Sequence, residues 1–134
     1  VTALKRSRVA GLRLFPGISV DIIKNYLQPP IRGLILETYG SGNAPEDREL
    51  IETLKTANDD GVIIVNCTQC MKGTVNMEGY ATGTSLAKAG VISGFDMTPE
   101  AALAKLSFLL NQKLSVAKIK KLMQTDLRGE LTRP

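Results

Sequence analysis

Four short apolar segments alternate along the chain with segments of helical periodicity, and this alternation limits the fold more than any other feature. The strand-like segments are VAGLRLF (9–15), GLILETY (33–39), GVIIVNCT (61–68) and VISGF (91–95). Short continuous apolar runs are typical of parallel strands that are buried on both faces. Strands that alternate with helices require parallel crossovers. The sequence therefore predicts an α/β fold, with an open four-stranded parallel sheet and helices on both faces, as in a flavodoxin-like three-layer sandwich.

The segments between these strands carry helix-start signals. Ser19, Thr98 and Ser115 can each cap a helix, and Pro45 and Pro99 suit a first helical turn. Apolar residues at helical spacing predict four buried faces: Ile22, Ile23, Tyr26 and Leu27; Leu50, Ile51, Leu54 and Ala57; Ala102, Leu106, Leu109 and Leu110; Val116, Ile119, Leu122 and Met123. A further short helix is predicted over 83–90. No linker or internal repeat interrupts the pattern, so residues 1–134 are predicted to form a single domain.

Composition excludes several functional classes. The chain has no histidine, which removes Ser-His-Asp and Cys-His catalysis and the commonest metal ligand. Its net charge of +4 comes with only 4% aromatic residues, which argues against a stacking nucleic-acid surface. No apolar run approaches the ~18 residues that a membrane-spanning helix needs. We expect no metal, cofactor, nucleic-acid or membrane partner, and a cytoplasmic location.

The two cysteines stand in NCTQCMKG, as Cys67 and Cys70. A single Cys-x-x-Cys pair without a second pair is weak support for zinc, and a redox pair would sit at a helix start after a strand. Cys67 instead ends the apolar run VIIVNC, so we expect it to point into the core. The absence of other cysteines favours a reducing compartment.

Polar residues follow three of the predicted strands. They are Pro16-Gly17, then Gly40-Ser41-Gly42-Asn43, then Thr68-Gln69-Cys70. Because the carboxyl ends of parallel strands meet at one edge of the sheet, these stretches could together bind a small polar ligand. The same residues also admit a structural interpretation, in which the glycines form a tight turn and Asn43 caps the following helix. The residues alone leave both interpretations open.

Several longer strings carry a resemblance that goes further. They are RLFPGIS (13–19), LETYGSGNAP (36–45), VIIVNCTQCMKGTVNMEGYATG (62–83), AGVISGFDMTPEAALAKL (89–106) and DLRGELT (126–132). Together, in order and with matching spacing, they resemble the C-terminal domain of cytosolic-type L-asparaginases. The resemblance covers nearly the whole chain.

This resemblance implies an enzyme with two α/β domains that hydrolyses L-asparagine to L-aspartate and ammonia. The catalytic residues of such enzymes lie in an N-terminal domain that is absent from this sequence, so no catalytic residue is expected here and the chain alone is expected to be inactive. The C-terminal domain would build a homodimer, or a dimer of dimers, and complete the active site of a neighbouring subunit. Asn43, with Gly42, matches the family's substrate-binding asparagine. The first residue is Val1 rather than Met, which suggests a fragment of a longer protein.

Some bacterial members of the family have a second, regulatory asparagine site. Cys70 and Thr68 match residues of the motif that lines it, but Glu37 stands where those members carry an arginine. A carboxylate cannot form the bidentate pair that a guanidinium makes with an amino-acid carboxylate. We therefore expect that asparagine does not regulate the enzyme allosterically.

Two alternatives remain from the sequence. The chain could be a non-catalytic domain that binds an amino acid or a partner for regulation or assembly. It could also belong to an amidohydrolase that acts on another amide, such as glutamine or an amide attached to transfer RNA.

Overall fold

The computed structural model describes residues 8–38, 48–68, 81–126 and 129, apart from the side chains of 68 and 81–84. Four strands and five helices alternate in the described part. They are β1 (Val9–Arg13), α1 (Val20–Tyr26), β2 (Gly33–Thr38), α2 (Arg48–Asp59), β3 (Ile63–Thr68), α3 (Ala81–Lys88), β4 (Ile92–Ser93), α4 (Pro99–Leu110) and α5 (Val116–Met123). The predicted α/β class, with its open four-stranded parallel sheet, is confirmed.

The strands lie in the sheet in the same order as in the sequence, β1-β2-β3-β4, and every neighbouring pair is parallel. Right-handed crossovers between strands taken in consecutive order all return over the same face of the sheet. Accordingly, α1, α2 and α3 cover one face. The chain then crosses at the β4 edge, and α4 and α5 cover the other face.

Successive side chains along each strand point to opposite faces of the sheet, so the sheet separates two apolar layers. The layer under α1, α2 and α3 is built mainly from Leu12, Leu14, Ile23, Leu34, Leu36, Leu50, Leu54, Ile64 and Leu86. The layer under α4 and α5 contains Ile35, Ile63, Val65, Cys67, Met97, Ala102, Leu106, Leu109, Ile119 and Met123. Cys67 is fully buried in the second layer, which confirms its predicted packing role.

The predicted helix caps are confirmed where the structure describes them. The side-chain oxygens of Ser19, Thr98 and Ser115 accept hydrogen bonds from the backbone N–H groups of Asp21, Ala101 and Lys118, at 3.1–3.2 Å. Each bond satisfies one of the orphan N–H groups that every helix start leaves. The predicted helix start at Pro45 lies outside the described residues, within which α2 begins at Arg48.

The predicted buried face of α1 is partly wrong. Ile23 is fully buried and Leu27 packs against the core, but Ile22 and Tyr26 are 43% and 39% exposed. The helix has only seven residues, and Val20, Ile23 and Leu27 already supply its inward stripe. Because so short a helix needs only a narrow contact, the other apolar side chains are left at the surface.

A lysine links the two helical layers at the N-terminal end of the sheet. Lys120 on α5 donates hydrogen bonds from Nζ to Oδ1 of Asn58, at 2.5 Å, and to the carbonyl oxygen of Gly90, at 3.3 Å. Burial lowers the pKa of Lys120, and the nearby carboxylate of Asp59 opposes that shift. The contact joins α5 to the ends of α2 and α3, and so has a structural role.

Candidate functional site

The buried polar side chains of the described residues are confined to one edge of the sheet. Thr38, Asn66 and Ser93 are buried, and they lie at or near the carboxyl ends of β2, β3 and β4. Ligands of open parallel sheets bind outside this edge. Burying polar groups costs free energy unless they are hydrogen-bonded, so their concentration here needs a specific explanation.

Thr38 and Asn66 bond to each other in the layer below α1–α3. The hydroxyl of Thr38 donates to Oδ1 of Asn66 at 2.6 Å, and the carbonyl oxygen of Cys67 lies 3.2 Å from the same hydroxyl. No buried side-chain nitrogen or oxygen among the described residues lacks a partner. The ends of β2 and β3 are therefore tied by a side-chain contact as well as by the backbone ladder.

The turn between β4 and α4 is attached to the same asparagine. The N–H of Gly94 donates to the carbonyl oxygen of Asn66 at 2.9 Å. A Cβ atom on Gly94 would lie 2.9 Å from Sγ of Cys67 and 3.2 Å from the carbonyl oxygen of Asn66, so any larger residue would force these neighbours to shift. Phe95 follows with φ +53°, and its N–H donates to Oγ of Ser93 at 3.0 Å. A left-handed conformation is uncommon outside glycine, and such residues cluster at functional sites.

A second row of residues crosses the sheet on the α4 face at nearly the same level. The register places Arg13 opposite Glu37, and Glu37 opposite Cys67. Nη2 of Arg13 lies 3.4 Å from Oε1 of Glu37; the two side chains are 66% and 20% exposed. The Glu37 carboxylate is thus engaged by a cation of its own chain, at the sheet edge where a ligand would bind.

The thiol of Cys67 is unsuited to redox chemistry. Burial, supported by the carboxylates of Glu37 and Glu100, raises the pKa of Cys67 to about 12. A reactive cysteine needs the opposite shift, because the thiolate is the nucleophile. Cys67 is free and buried, and behaves as a small apolar residue.

The sequence-predicted site residues fall into two groups. Asn43, Gly42 and Cys70 lie outside the described residues. Glu37 and the backbone of Thr68 are described, and both stand at the expected strand ends. Thr38 and Thr68 are register partners, so the segments that carry Asn43 and Cys70 leave the sheet from neighbouring positions.

Sequence reasoning missed the contact between Thr38 and Asn66. The available signal was a polar residue near the end of each apolar run, in LILET and IIVN. That signal did not reveal that the two side chains meet, because pairing depends on register.

Other features of the described residues offer no better candidate for a functional site than this edge of the sheet. A groove between α1 and α2 is lined mainly by polar and charged side chains, and the ion pair between Lys24 and Glu49, at 2.9 Å, lies among them. None of its lining residues belongs to a strand end. Within the described ranges, no group of three or more histidine, cysteine, aspartate or glutamate side chains could hold a metal ion, and no helix is long and apolar enough to span a membrane.

The family can be assigned from the sequence pattern of known domains. The pattern of the glutaminase/asparaginase C-terminal domain matches residues 8–123, which include all the described strands and helices. The chain belongs to this family. The edge described above is therefore that of an asparaginase-type C-terminal domain.

Individual relatives agree with this assignment. L-asparaginase 1 of Escherichia coli K12 is 54% identical over 124 residues, covering 92% of this chain and 37% of that protein. The 60 kDa lysophospholipase of Mus musculus is 52% identical over 127 residues, covering 94% of this chain and 22% of that protein. The crystal structure of L-asparaginase I from Vibrio cholerae O1 superposes with a TM-score of 0.91 at 55% identity, covering 96% of this chain and 39% of that one. This C-terminal domain thus spans well under half the length of each.

Proposed function

We propose that this chain is the C-terminal domain of an L-asparaginase, which hydrolyses L-asparagine to L-aspartate and ammonia together with an N-terminal catalytic domain. The observation that carries the proposal is the 54% identity to an L-asparaginase over 92% of the chain. The proposal is also consistent with a strand edge that has buried polar side chains and two segments leaving it from neighbouring strands.

The chemistry of the described edge supports a binding role for this domain. Amide hydrolysis needs an activated nucleophile and stabilisation of the developing oxyanion. The Thr38 hydroxyl donates to an amide oxygen, with a carbonyl oxygen nearby, and neither acceptor can act as a base at neutral pH. In the proposal, Asn43 and Gly42 hold the substrate, while the nucleophile and its base belong to the N-terminal domain. Asn43 then acts by fixing the substrate's orientation.

Ammonia release from L-asparagine tests this division of roles. We expect the 134-residue chain alone to be inactive and the full-length protein to be active. In the full-length protein, Asn43→Ala should lower kcat/KM by roughly 10- to 100-fold, since positioning is lost. Asn25→Ala, on the exposed side of α1, is the matched control and should leave kcat/KM unchanged. Unchanged kinetics in Asn43→Ala would remove this residue from the site.

We also propose that regulation by asparagine is absent. The Glu37 carboxylate pairs with Arg13, and it would repel the carboxylate of an amino-acid effector. The full-length enzyme should therefore show hyperbolic dependence on L-asparagine. A Hill coefficient clearly above one would contradict this proposal and return Cys70, Thr68 and Glu37 to consideration as a regulatory site.

The assembly proposed for the full-length protein is a homodimer or a dimer of dimers in the cytoplasm, in which this domain completes the active site of a neighbouring subunit. Mixing two impaired full-length variants tests it. One carries Asn43→Ala, and the other carries a defect in the N-terminal catalytic domain. Recovery of part of the activity on mixing is expected if the site is shared, whereas no recovery at any ratio would favour a site within one subunit.

A second candidate substrate, a lysophospholipid, is suggested by the name of one relative. The mouse 60 kDa lysophospholipase is nearly as similar to this chain as the asparaginase is, at 52% identity. The full-length protein should therefore be assayed with L-asparagine, L-glutamine and lysophosphatidylcholine. The asparaginase proposal predicts the highest kcat/KM for L-asparagine. Binding of L-asparagine without turnover would instead favour a regulatory amino-acid-binding domain.

A further inference from the structure

We infer that this chain forms a two-fold dimer through the outer edge of β1, in which β1 pairs antiparallel with β1 of a second copy. The surface involved, called here the β1 face, consists of the outer edge of β1 around Gly11, with Ile22 and Tyr26 on α1 and Leu103 on α4. This dimer goes beyond the proposed function, since it does not depend on the hydrolysis of L-asparagine. It is therefore expected of the 134-residue chain itself.

The outer edge of β1 offers backbone groups for such pairing. β1 is the first strand of the described sheet, where β2 is its neighbour on one side. Its bonds to β2 use the carbonyl oxygen of Arg8 and the N–H of Leu14. Because backbone groups alternate between the two sides of a strand, those of Gly11 and Arg13 point away from β2. Gly11 is exposed, and beyond its chain neighbours no described atom lies within 4 Å of the position of a Cβ atom. An open edge of this kind is a template for another strand.

The helix on one face of the sheet places apolar side chains beside this edge. α1 packs against β1, and α2 packs against β3, so α2 lies on the inner side of α1. The contact between the two helices includes the ion pair between Lys24 and Glu49, at 2.9 Å. Ile22 and Tyr26 each stand two residues from Lys24, about 200° around the helix. They therefore face away from α2, beyond the outer edge of β1, where they are 43% and 39% exposed.

The helix on the opposite face does the same. α4 packs against β1 and β2, and α5 lies beside it towards β4, since Nε2 of Gln124 reaches the carbonyl oxygen of Ser93 at 3.5 Å. On that side of α4, Nζ of Lys105 donates to the carbonyl oxygen of Thr125 at 2.6 Å. Leu103 stands two residues from Lys105, about 200° around α4, and so faces the β1 side. It is 36% exposed, so apolar side chains border the open edge on both faces of the sheet.

A second copy of this chain complements the whole β1 face. A strand edge is complementary to itself when two copies run antiparallel about a two-fold axis, which is the commonest symmetry of dimers. Gly11 is the middle residue of β1, and with the axis there the two glycines exchange N–H···O bonds. The same axis brings α1 against α1 and α4 against α4 of the second copy. The apolar flanks of each copy, with Ile22, Tyr26 and Leu103, then cover those of the other.

The charges of β1 also favour a second copy over an acidic partner. When Gly11 lies on the axis, Arg13 stands opposite Val9 of the second copy, so the two arginines do not meet. Arg13 is balanced within its own chain, because its Nη2 lies 3.4 Å from Oε1 of Glu37. The contact is therefore built from backbone hydrogen bonds and apolar side chains, without like charges placed directly opposite each other, an arrangement that would be destabilising.

Sedimentation equilibrium of the 134-residue chain tests the dimer without an activity assay. We expect a monomer–dimer equilibrium with a Kd of about 1–100 µM, because β1 has only five residues and the contact is small. Gly11→Pro removes the outward N–H but none of the bonds to β2, and should raise Kd at least about tenfold. Gly11→Ala keeps that N–H and its Cβ atom has room, so Kd should stay within about threefold. A chain that remains monomeric at about 1 mM would overturn the inference and leave the β1 face to another domain or protein.

The apolar flanks give a second comparison, which decides the matter if Gly11→Pro does not fold. Tyr26→Lys should raise Kd at least about tenfold, since it places two like charges where the α1 helices meet. Phe108→Lys is the matched control, because Phe108 is 58% exposed and lies about 140° around α4 from Leu103. Its Kd should stay within about twofold of wild type. Equal weakening by both variants would mean that exposed apolar surface in general drives association, and would overturn the inference.

Hydrogen exchange locates the contact. The outward amides of Gly11 and Arg13 should exchange at least about fivefold more slowly in the dimer than in the monomer. Amides of α2 should not change with concentration, because that helix is separated from the β1 face by α1. A sample that sediments as a dimer without this protection would be joined through another surface, and the inference would be wrong. If the full-length protein does not hydrolyse L-asparagine, the proposed function fails while these measurements still decide the dimer.

Discussion

The two ends of the sheet differ in what they bury. At the carboxyl end, Thr38, Asn66 and Ser93 are buried and hydrogen-bonded. At the amino end, Leu34 and Ile63 are buried among apolar neighbours, and the sheet is so close to α4 that a Cβ atom on Gly33 would lie 2.5 Å from Cδ2 of Leu106. Apolar contact supplies most of the free energy of folding, whereas buried polar groups contribute direction. The amino end is therefore joined to α4 by close apolar packing, whereas the carboxyl end is joined by specific side-chain hydrogen bonds.

The largest expected effect is a loss of stability at the amino end. Leu106→Ala should lower the free energy of unfolding by about 2–5 kcal/mol, because it removes a fully buried side chain and leaves a cavity. Leu103→Ala on the same helix is the control; its side chain is 36% exposed and should cost less than about 1 kcal/mol. Urea unfolding of the 134-residue chain measures both. Equal losses would contradict the assignment of the stabilising contacts to the α4 layer.

Two glycine substitutions compare the ends directly. Gly33→Ala and Gly94→Ala should each cost about 1–3 kcal/mol by overpacking. In the Leu106→Ala background, most of the cost of Gly33→Ala should be lost, since only Cγ2 of Val9, at 3.2 Å, still lies close to the added Cβ atom. Gly94→Ala should keep part of its cost in a Cys67→Ala background, because its Cβ would also lie 3.2 Å from the backbone oxygen of Asn66.

Kinetics of the same two variants sharpen the comparison. In the full-length enzyme, Gly94→Ala should raise KM for L-asparagine, whereas Gly33→Ala should not. If both variants changed KM alike, the expected functional difference between the two ends of the sheet would be wrong.

The pH dependence of stability should carry the contribution of Cys67. Its pKa is raised from 9.0 to about 12 in the folded state, so the folded protein binds more protons than the unfolded chain between these values. The contribution is therefore complete below pH 9 and is lost as pH rises towards about 12. Between pH 9 and 10.5, the unfolding free energy of wild type should fall faster than that of Cys67→Ala, by up to about 1.4 kcal/mol per pH unit. Parallel curves would indicate that the thiol is not buried.

The smallest expected effect is at the ion pair between Arg13 and Glu37. The Arg13 side chain is 66% exposed, so solvent screens the attraction. A double-mutant cycle with Arg13→Gln and Glu37→Gln should give a coupling below about 1 kcal/mol, and the coupling should decrease with added salt. A larger coupling would mean that the carboxyl end also contributes substantially to stability.

The sequence predicted most of the fold because the signals for strands and caps are local. GVIIVNCT and GLILETY read as buried strands without reference to their neighbours, and Ser19, Thr98 and Ser115 cap the helices that follow them directly. The same local reasoning placed Glu37 and Thr68 at strand ends. It was wrong for Ile22 and Tyr26, because periodicity lists apolar residues but does not say how many of them a short helix needs to bury.

By itself, the sequence determined the α/β class, the polar carboxyl edge and, through its resemblance, the asparaginase family. Only the tertiary structure decided the consecutive order of the strands and the partner of each side chain at that edge. Thr38 and Asn66 are 28 residues apart, and Arg13 and Glu37 are 24 apart. Such contacts form only when the strands settle into one register, because a shift of one residue would turn every side chain to the opposite face.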